Sequence, residues 1–466
     1  MEFLGKVTHQ AVKEGDEVVL AFNSKFAEYQ KAGFFPASSK KISKVDWLAQ
    51  HYQKHGTNTQ GISWKEFFPS FERKSDLIPL DYRHATEIVN QLYQFFEFVF
   101  TTEKPDIVIN EAPANIFNNL AYHFCKKYKI AYIGVIGSKF GGKIDIYDAP
   151  HTLSLYKKTF EELQNKDILE PELSFTKQFI ADFTTHKKVP AYMEFQFEFS
   201  ALQGPGRYLR RQLQLAPTFW RYLTQRKYYR QFDYESESYL RYNIRRPFQS
   251  LLRELRVIYF KHSYKKADLK ERFFLYPLHF HPEASTLVLA TYFSDQLNTI
   301  KNIAFALPFP YKLYVKEHPI ALGTRPGNFY EEIKKLPNVV LVTSAENNQH
   351  LIEASAGVIT LTSTVGMEAA LLGKPVYVLG DVFYEYHPAC KKIASFDQLR
   401  QHLEKDLHES EAPKNLTDEH LRFIASYYRH TISGDVVDAS RSKDTNNYQD
   451  IYESIKNIYL NIHGKN

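Results

Sequence analysis

An apolar run, AGVITLT at 356–362, gives way to Ser363-Thr364-Val365-Gly366, and Glu368 is the first charged residue of the helix-forming stretch that follows. A helix start presents unpaired amide N–H groups and a partial positive charge, both of which favour a phosphate. Ser363 and Thr364 add hydroxyl donors, Gly366 admits a ligand close to the backbone, and Glu368 can accept from the two hydroxyls of a ribose. A capped helix explains the same letters without a ligand, with Ser363 or Thr364 as N-cap and Glu368 closing a capping box. A second set is YVKEHP at 314–319, where Lys316, Glu317 and His318 end an apolar strand that Pro319 breaks. Lys316 and His318 there can neutralise charge that builds on a departing phosphate. Three His-Pro pairs occur, at His281, His318 and His387, but only His318 directly follows a clean strand of this kind. A third set, YPLHFHPEAST at 276–286, supplies His279, His281 and Glu283; ordinary capping by Pro282 and Glu283 competes with a catalytic reading. Glu111, in VINEAPANI, ends a strand just before a helix and is equally open to a helix-dipole explanation.

These side chains need strands that end side by side. Helical periodicity covers 82–103, DIVIN at 106–110 is a short buried strand, PANIFNNLAYHFCKKY at 113–128 a helix and IAYIGVI at 130–136 the next strand. Such a β-α-β order predicts a parallel sheet. Helices with loops are expected over 150–205. From 272 onward RFFLYPL, YKLYVKE, NVVLVT, AGVITLT and KPVYVLG read as five strands. A helix over 285–307, others near 328–335 and 347–355, and one in the stretch that opens with Ser363-Thr364 separate them, the pattern of a second Rossmann-like domain. Helices near 415–430 and 447–462 finish the chain. The expected partition is a Rossmann-like domain over 1–205, a helical basic and aromatic segment over 206–270, and a Rossmann-like nucleotide domain over 271–445. The helix of 446–466 is expected to pack back on the N-terminal domain. Two such domains face a cleft, and in open α/β sheets ligands sit at the carboxyl ends of the strands.

At 466 residues the chain is too long for one ordinary core, and 44% hydrophobic with 24% charged residues is a globular composition. No basic-headed apolar leader and no run of about 18 apolar residues is visible, so a cytoplasmic protein is expected. Cys125 and Cys390 lie far apart and fit a reduced compartment. The net charge of +6 is uneven: residues 206–270 hold 16 Lys or Arg, 5 acids and 14 aromatics, +11 net, which leaves −5 for the remainder. That segment is an anion-facing surface. It could instead be a solvated helical face, or bind nucleic acid, though the phosphate and ribose motifs elsewhere argue against a nucleic-acid partner. No two aspartates are separated by a single residue, and neither a phosphate-binding Walker loop nor a Cys/His cluster occurs. No metal or other cofactor is therefore expected.

LHFHPEAST, VKEHP and STVGMEAALLGKPVYVLG, in this order and at these distances, resemble the C-terminal half of the capsule polysaccharide biosynthesis family, which includes Kdo and pseudaminic acid transferases. The similarity covers about 270–390 well and 80–150 only in pattern. It implies an α/β, GT-B fold and a CMP-activated 3-deoxy-ulosonic acid as donor substrate, with a capsular or lipid-linked oligosaccharide as acceptor. His318 and Pro319 then match the nucleotide-phosphate motif, and Ser363, Thr364 and Glu368 the helix that grips phosphate and ribose. A retaining mechanism makes Glu283 the candidate nucleophile and Glu111 the candidate base for the acceptor hydroxyl. Acceptors that grow on lipid suit peripheral contact between 206–270 and an anionic inner-membrane surface. Two other readings share the architecture: a CDP-glycerol or CDP-ribitol phosphotransferase, and a hydrolysing sugar-nucleotide 2-epimerase.

Overall fold

The computed structural model describes residues 2–54, 61–67, 81–111, 115–147, 154–184, 252–409, 417–436 and 446–463, with a few isolated positions between 213 and 232. Most of the basic aromatic segment, and all of 185–205, lies outside the described residues. The chain forms two compact units interleaved along the sequence. The first is Met1–Pro150, Pro190–Pro247 and Thr431–Asn466, and the second His151–Val189 and Phe248–His430.

In the first unit β1 (Val19–Phe22) and β2 (Lys40–Ser43) form a parallel pair. The β-α-β expected from the sequence is present: β3 (Ile107–Glu111) and β4 (Ala131–Gly137) run parallel, with Ile107 opposite Ala131. The connecting helix Ile116–Tyr128 begins where Asn115 accepts from the Asn118 N–H. β5 (Lys143–Tyr147) and β12 (Thr431–Ser433), neither evident in the sequence, extend this sheet antiparallel in the order β12-β5-β4-β3. Helix Tyr82–Phe98 widens into a π-helical turn at Val99–Glu103 and buries Leu92, Phe95 and Phe96 with Phe117, Leu120 and Phe124. The last helix, Tyr448–His463, packs with the first, Glu2–Lys13, where Phe3, Val7, Ile133, Val135, Ile144, Ile146, Ile432, Ile451 and Ile455 form one cluster. Burial of each such side chain contributes roughly 1.5–3 kcal/mol.

The second unit holds a six-stranded sheet: β6 (Phe273–Pro277), β7 (Lys312–Lys316), β8 (Val339–Val342), β9 (Gly357–Thr360), β10 (Val376–Val378) and β11 (Cys390–Lys392). Every pairing is parallel and the order is β11-β10-β9-β6-β7-β8. Counted from β6 this is the 3-2-1-4-5-6 order of a dinucleotide-binding sheet, whose direction of progression reverses between β6 and β9. FFLYP in β6 and GVIT in β9 are buried along their whole length, as parallel strands covered on both faces must be. Five of the six strands coincide with the five read from the sequence; β11 is the addition.

One expected helix breaks. The stretch 285–307 is a short helix Ala284–Leu287, a 3-10 turn at Thr291–Phe293, and a helix Gln296–Ala306. Asp295 explains the restart, because its carboxylate accepts from the Asn298 N–H as an N-cap.

Candidate active site

The reversal point between β6 and β9 is where such sheets leave a crevice for ligands. His279 follows β6, Lys316 is the last residue of β7 and His318 stands two beyond it, and Ser363 follows β9. The structure thus gathers the sequence-predicted residues Lys316, His318, Pro319, Ser363, Thr364, Gly366 and Glu368, with Glu283 beyond β6, at the carboxyl edge of three neighbouring strands. Glu111 ends β3 in the other unit, and its side chain lies outside what is described.

His318 caps the turn Pro319–Ala321: its Nδ1 accepts from the Ile320 N–H at 3.2 Å. The proton of the neutral ring is therefore on Nε2, which has no hydrogen-bond partner among the described residues. Burial lowers its pKa, while the charges of Glu283 and Glu317 oppose that shift. The turn is pinned from below by Arg253, whose Nε and Nη2 donate to the carbonyls of Leu322 (2.8 Å) and Ile320 (3.0 Å). Gly323 has φ +72°, and a Cβ there would meet the Arg253 carbonyl oxygen at 2.3 Å, so this turn admits only glycine.

Lys316 is buried and donates to the side-chain oxygen of Asn348. Burial brings its pKa down to about 8, against the pull of Glu368 and Glu346. Glu368 is 9% exposed and accepts no hydrogen bond among the described residues. Burial pushes its pKa up to about 7, and Lys316 moderates the rise. The capping-box explanation of Glu368 fails on register. Ser363 is the N-cap and accepts from the Val365 N–H at 3.3 Å, which makes Gly366 the third helical residue and sets Glu368 two positions too far. Within helix Thr364–Leu371 every residue from Val365 to Leu371 is buried. Gly366 has a packing reason of its own: a Cβ would lie 2.3 Å from the Tyr384 hydroxyl, which donates to the Ser363 carbonyl.

Glu283 is exposed and is itself the N-cap of Ala284–Leu287, with the Ser285 hydroxyl donating to its Oε2 at 3.0 Å. Among the described residues no group of three or more His, Cys, Asp or Glu is arranged to hold a metal ion, and no helix is long and apolar enough to cross a membrane.

The sequence reading missed a buried network beneath these groups. The Glu317 carboxylate, 1% exposed, accepts from Arg325 Nε (3.0 and 3.2 Å) and Nη2 (3.1 Å), the Tyr330 hydroxyl (2.8 Å) and the His318 N–H (2.8 Å). Arg325 Nη2 also donates to the His279 carbonyl at 2.7 Å. His279 Nε2 accepts from the Thr362 N–H at 3.1 Å, and its backbone exchanges two hydrogen bonds with the Gln296 amide (2.8 and 3.1 Å). The available signal was Glu317 itself, a carboxylate closing an otherwise apolar strand, which at full burial demands a cation and several donors.

His279 and His387 are both buried, and burial holds each pKa down at about 3. An unfolded histidine binds a proton near pH 6.5, so between there and about pH 3 the unfolded chain holds more protons and stability falls with pH. Urea melts at pH 7 and pH 5 should show a loss of about 2–4 kcal/mol for the pair, at roughly 1.4 kcal/mol per unit per group. His387→Asn should remove about half of that slope; an unchanged slope would show that these histidines are not its source.

Residues 210–415 match the family described as capsule polysaccharide biosynthesis protein. No curated protein matches the chain. Among solved structures, the β-Kdo 2,7-transferase of Thermosulfurimonas dismutans KpsC is 12% identical, with 78% of this chain aligned to 89% of that one at a TM-score of 0.38. The β-Kdo 2,4-transferase of the same KpsC is 13% identical over 74% of this chain and 85% of that one, TM-score 0.37. The UDP-GlcNAc 2-epimerase of Methanocaldococcus jannaschii is 13% identical over 89% and 91%, TM-score 0.29. The matched segment contains the six-stranded sheet and all of its site residues, so the resemblance to capsule polysaccharide biosynthesis proteins falls on the half of the chain that holds the candidate site.

Proposed function

We propose that the protein is a retaining glycosyltransferase that moves a 3-deoxy-ulosonic acid, Kdo or pseudaminic acid, from its CMP-activated form to a capsular or surface glycan. The observation that carries this reading is the burial of Lys316 and Glu368 at neighbouring strand ends. A cation and a carboxylate are buried together at the reversal point, and the carboxylate has no hydrogen-bond donor of its own among the described residues. A nucleoside monophosphate satisfies both: its phosphate takes Lys316, the hydroxyls of Ser363 and Thr364 and the amide-rich helix start, and its ribose hydroxyls donate to Glu368. His318, with Nε2–H free to donate, stabilises the charge of the leaving phosphate. Pro319 fixes the turn that presents it.

Glu283 is the nucleophile. Its carboxylate attacks the anomeric carbon as the C–O bond to CMP breaks and the electron pair leaves on the phosphate. An acceptor hydroxyl, deprotonated by Glu111, then displaces Glu283 and restores the original configuration. The exposed Glu283 carboxylate beyond the end of β6, in the same sheet as the strand that leads to His318, supports this. No metal enters these steps. The described end of the basic segment supports contact with an anionic membrane surface. Leu255, Ile258 and Tyr259 are 54, 69 and 73% exposed, next to Lys261, Lys265 and Lys266.

The test is a donor screen with CMP-Kdo, CMP-pseudaminic acid, CDP-glycerol and UDP-GlcNAc, with nucleotide release followed with and without chelator. Acceptor-dependent CMP release from a CMP-ulosonic acid, unaffected by chelator and with a retained anomeric configuration by NMR, is expected. Turnover of CDP-glycerol, or acceptor-free turnover of UDP-GlcNAc, would replace the proposal with the corresponding alternative.

A further inference from the structure

We infer that Arg325 is a positioning residue for the transfer step, holding the ends of β6, β7 and β9 in one fixed arrangement without touching substrate; this rests on the function proposed above. The geometry is a three-way tie. On one side the guanidinium forks onto Glu317, which in turn fixes the His318 N–H and so the backbone that carries the leaving-group histidine. On the other it donates to the His279 carbonyl, and the His279 ring holds the Thr362 N–H, one residue before the cap Ser363. Thr362 Oγ1 closes the circuit by donating to the Ser285 carbonyl at 3.0 Å, two residues from Glu283. The guanidinium lies over the Phe329 ring at 4.8 Å, and Tyr330, on the same helix Gly327–Lys334, donates to Glu317.

Each strand end of the reversal point thus reaches the other two through one side chain. A lysine cannot replace it, because a single ammonium lacks the planar fork that spans a carboxylate and a carbonyl at once. The groups that would move if the tie were cut are His318, Ser363 and the backbone near Glu283. Donor binding uses many more contacts than these, whereas transfer depends on the relative placement of nucleophile, anomeric carbon and leaving group.

The test is Arg325→Lys, together with Glu317→Gln/Arg325→Met, which removes both buried charges and leaves no unpaired ion should the single variant fold poorly. In each, kcat should fall by roughly 10²-fold while KM for the donor and CMP affinity stay within about threefold. That split of kcat from KM is the readout that a purely structural role would not move, and imidazole NMR checks the charge contact independently. Arg325 lowers the pKa of both His279 and His318, so in Arg325→Gln both should titrate closer to the ordinary histidine range. Folded variants with wild-type kcat, or with KM raised and kcat unchanged, would overturn the inference. A wild-type protein inert toward every donor would remove the proposed function instead, and the titration would then decide the tie by itself: histidines that titrate as in the wild type overturn it, and shifted ones support it.

Discussion

His318→Ala is expected to lower kcat by about 10²–10³-fold, the usual loss when one donor to a developing oxyanion is removed. The structure says why alanine cannot be rescued locally. Nδ1 is already taken by the Ile320 N–H, so Nε2 is the only ring atom able to donate, and the turn that presents it is held by Arg253 and Glu317. Those three bonds are made to backbone atoms and survive the substitution, so the fold and CMP affinity should be kept. His318→Asn separates two roles. It can still accept from Ile320 N–H but is too short to reach where Nε2 was, so it should restore melting temperature without restoring rate. Wild-type turnover in His318→Ala would remove the histidine from the mechanism.

The second large effect is expected in the pH dependence of CMP binding. With Glu368 near 7 and Lys316 near 8 in the free protein, the pair carries its working charges in a narrow window around pH 7–8. Above it, Lys316 loses its proton and affinity should fall about tenfold per pH unit; below it, Glu368 gains one and the ribose contact weakens. Lys316→Met should weaken CMP binding by about 10–10²-fold at pH 7.5, the worth of a charged hydrogen bond, and abolish the alkaline limb. Glu368→Gln should abolish the acid limb. It should also move the alkaline limb to lower pH, since Glu368 holds the lysine pKa up. Calorimetry across about pH 6–9 decides, with the variants serving to subtract the second ionisation of CMP itself, near pH 6. A flat alkaline limb in the wild type would mean that Lys316 does not bind the phosphate.

What the sequence made legible were the long, strongly patterned features. The five apolar strands from 272 to 380 and the β-α-β around 106–136 could be read because each strand is bounded by a proline, a glycine or a capping residue. β11 could not: it has three residues, Cys390-Lys391-Lys392, of which two are lysines, the composition of a blunted edge strand. β12 escaped because it has three residues and its partner β5 lies nearly three hundred residues earlier in the chain, with no local periodicity to announce it. At the site, the residue types at strand ends were readable, but the choice between capping and ligand binding at Glu368 was not, since it turns on whether the cap is Ser363 or a later residue. Arg325 was invisible for a different reason. Its partners Glu317 and His279 are brought together by the pairing of β6 with β7 and not by any spacing in the chain.

The interleaving of the two units bears on how the protein is made. Phe248–His430 supplies the whole six-stranded sheet and leaves the ribosome before Thr431, so the half that carries the candidate site can mature while synthesis continues. The other half cannot: β5 waits for β12, and Ile133, Val135, Ile144 and Ile146 wait for Ile432, Ile451 and Ile455. A nascent chain halted near residue 430 would therefore carry an uncovered apolar face and an open strand edge, a natural client for chaperones or a nucleus for clumping.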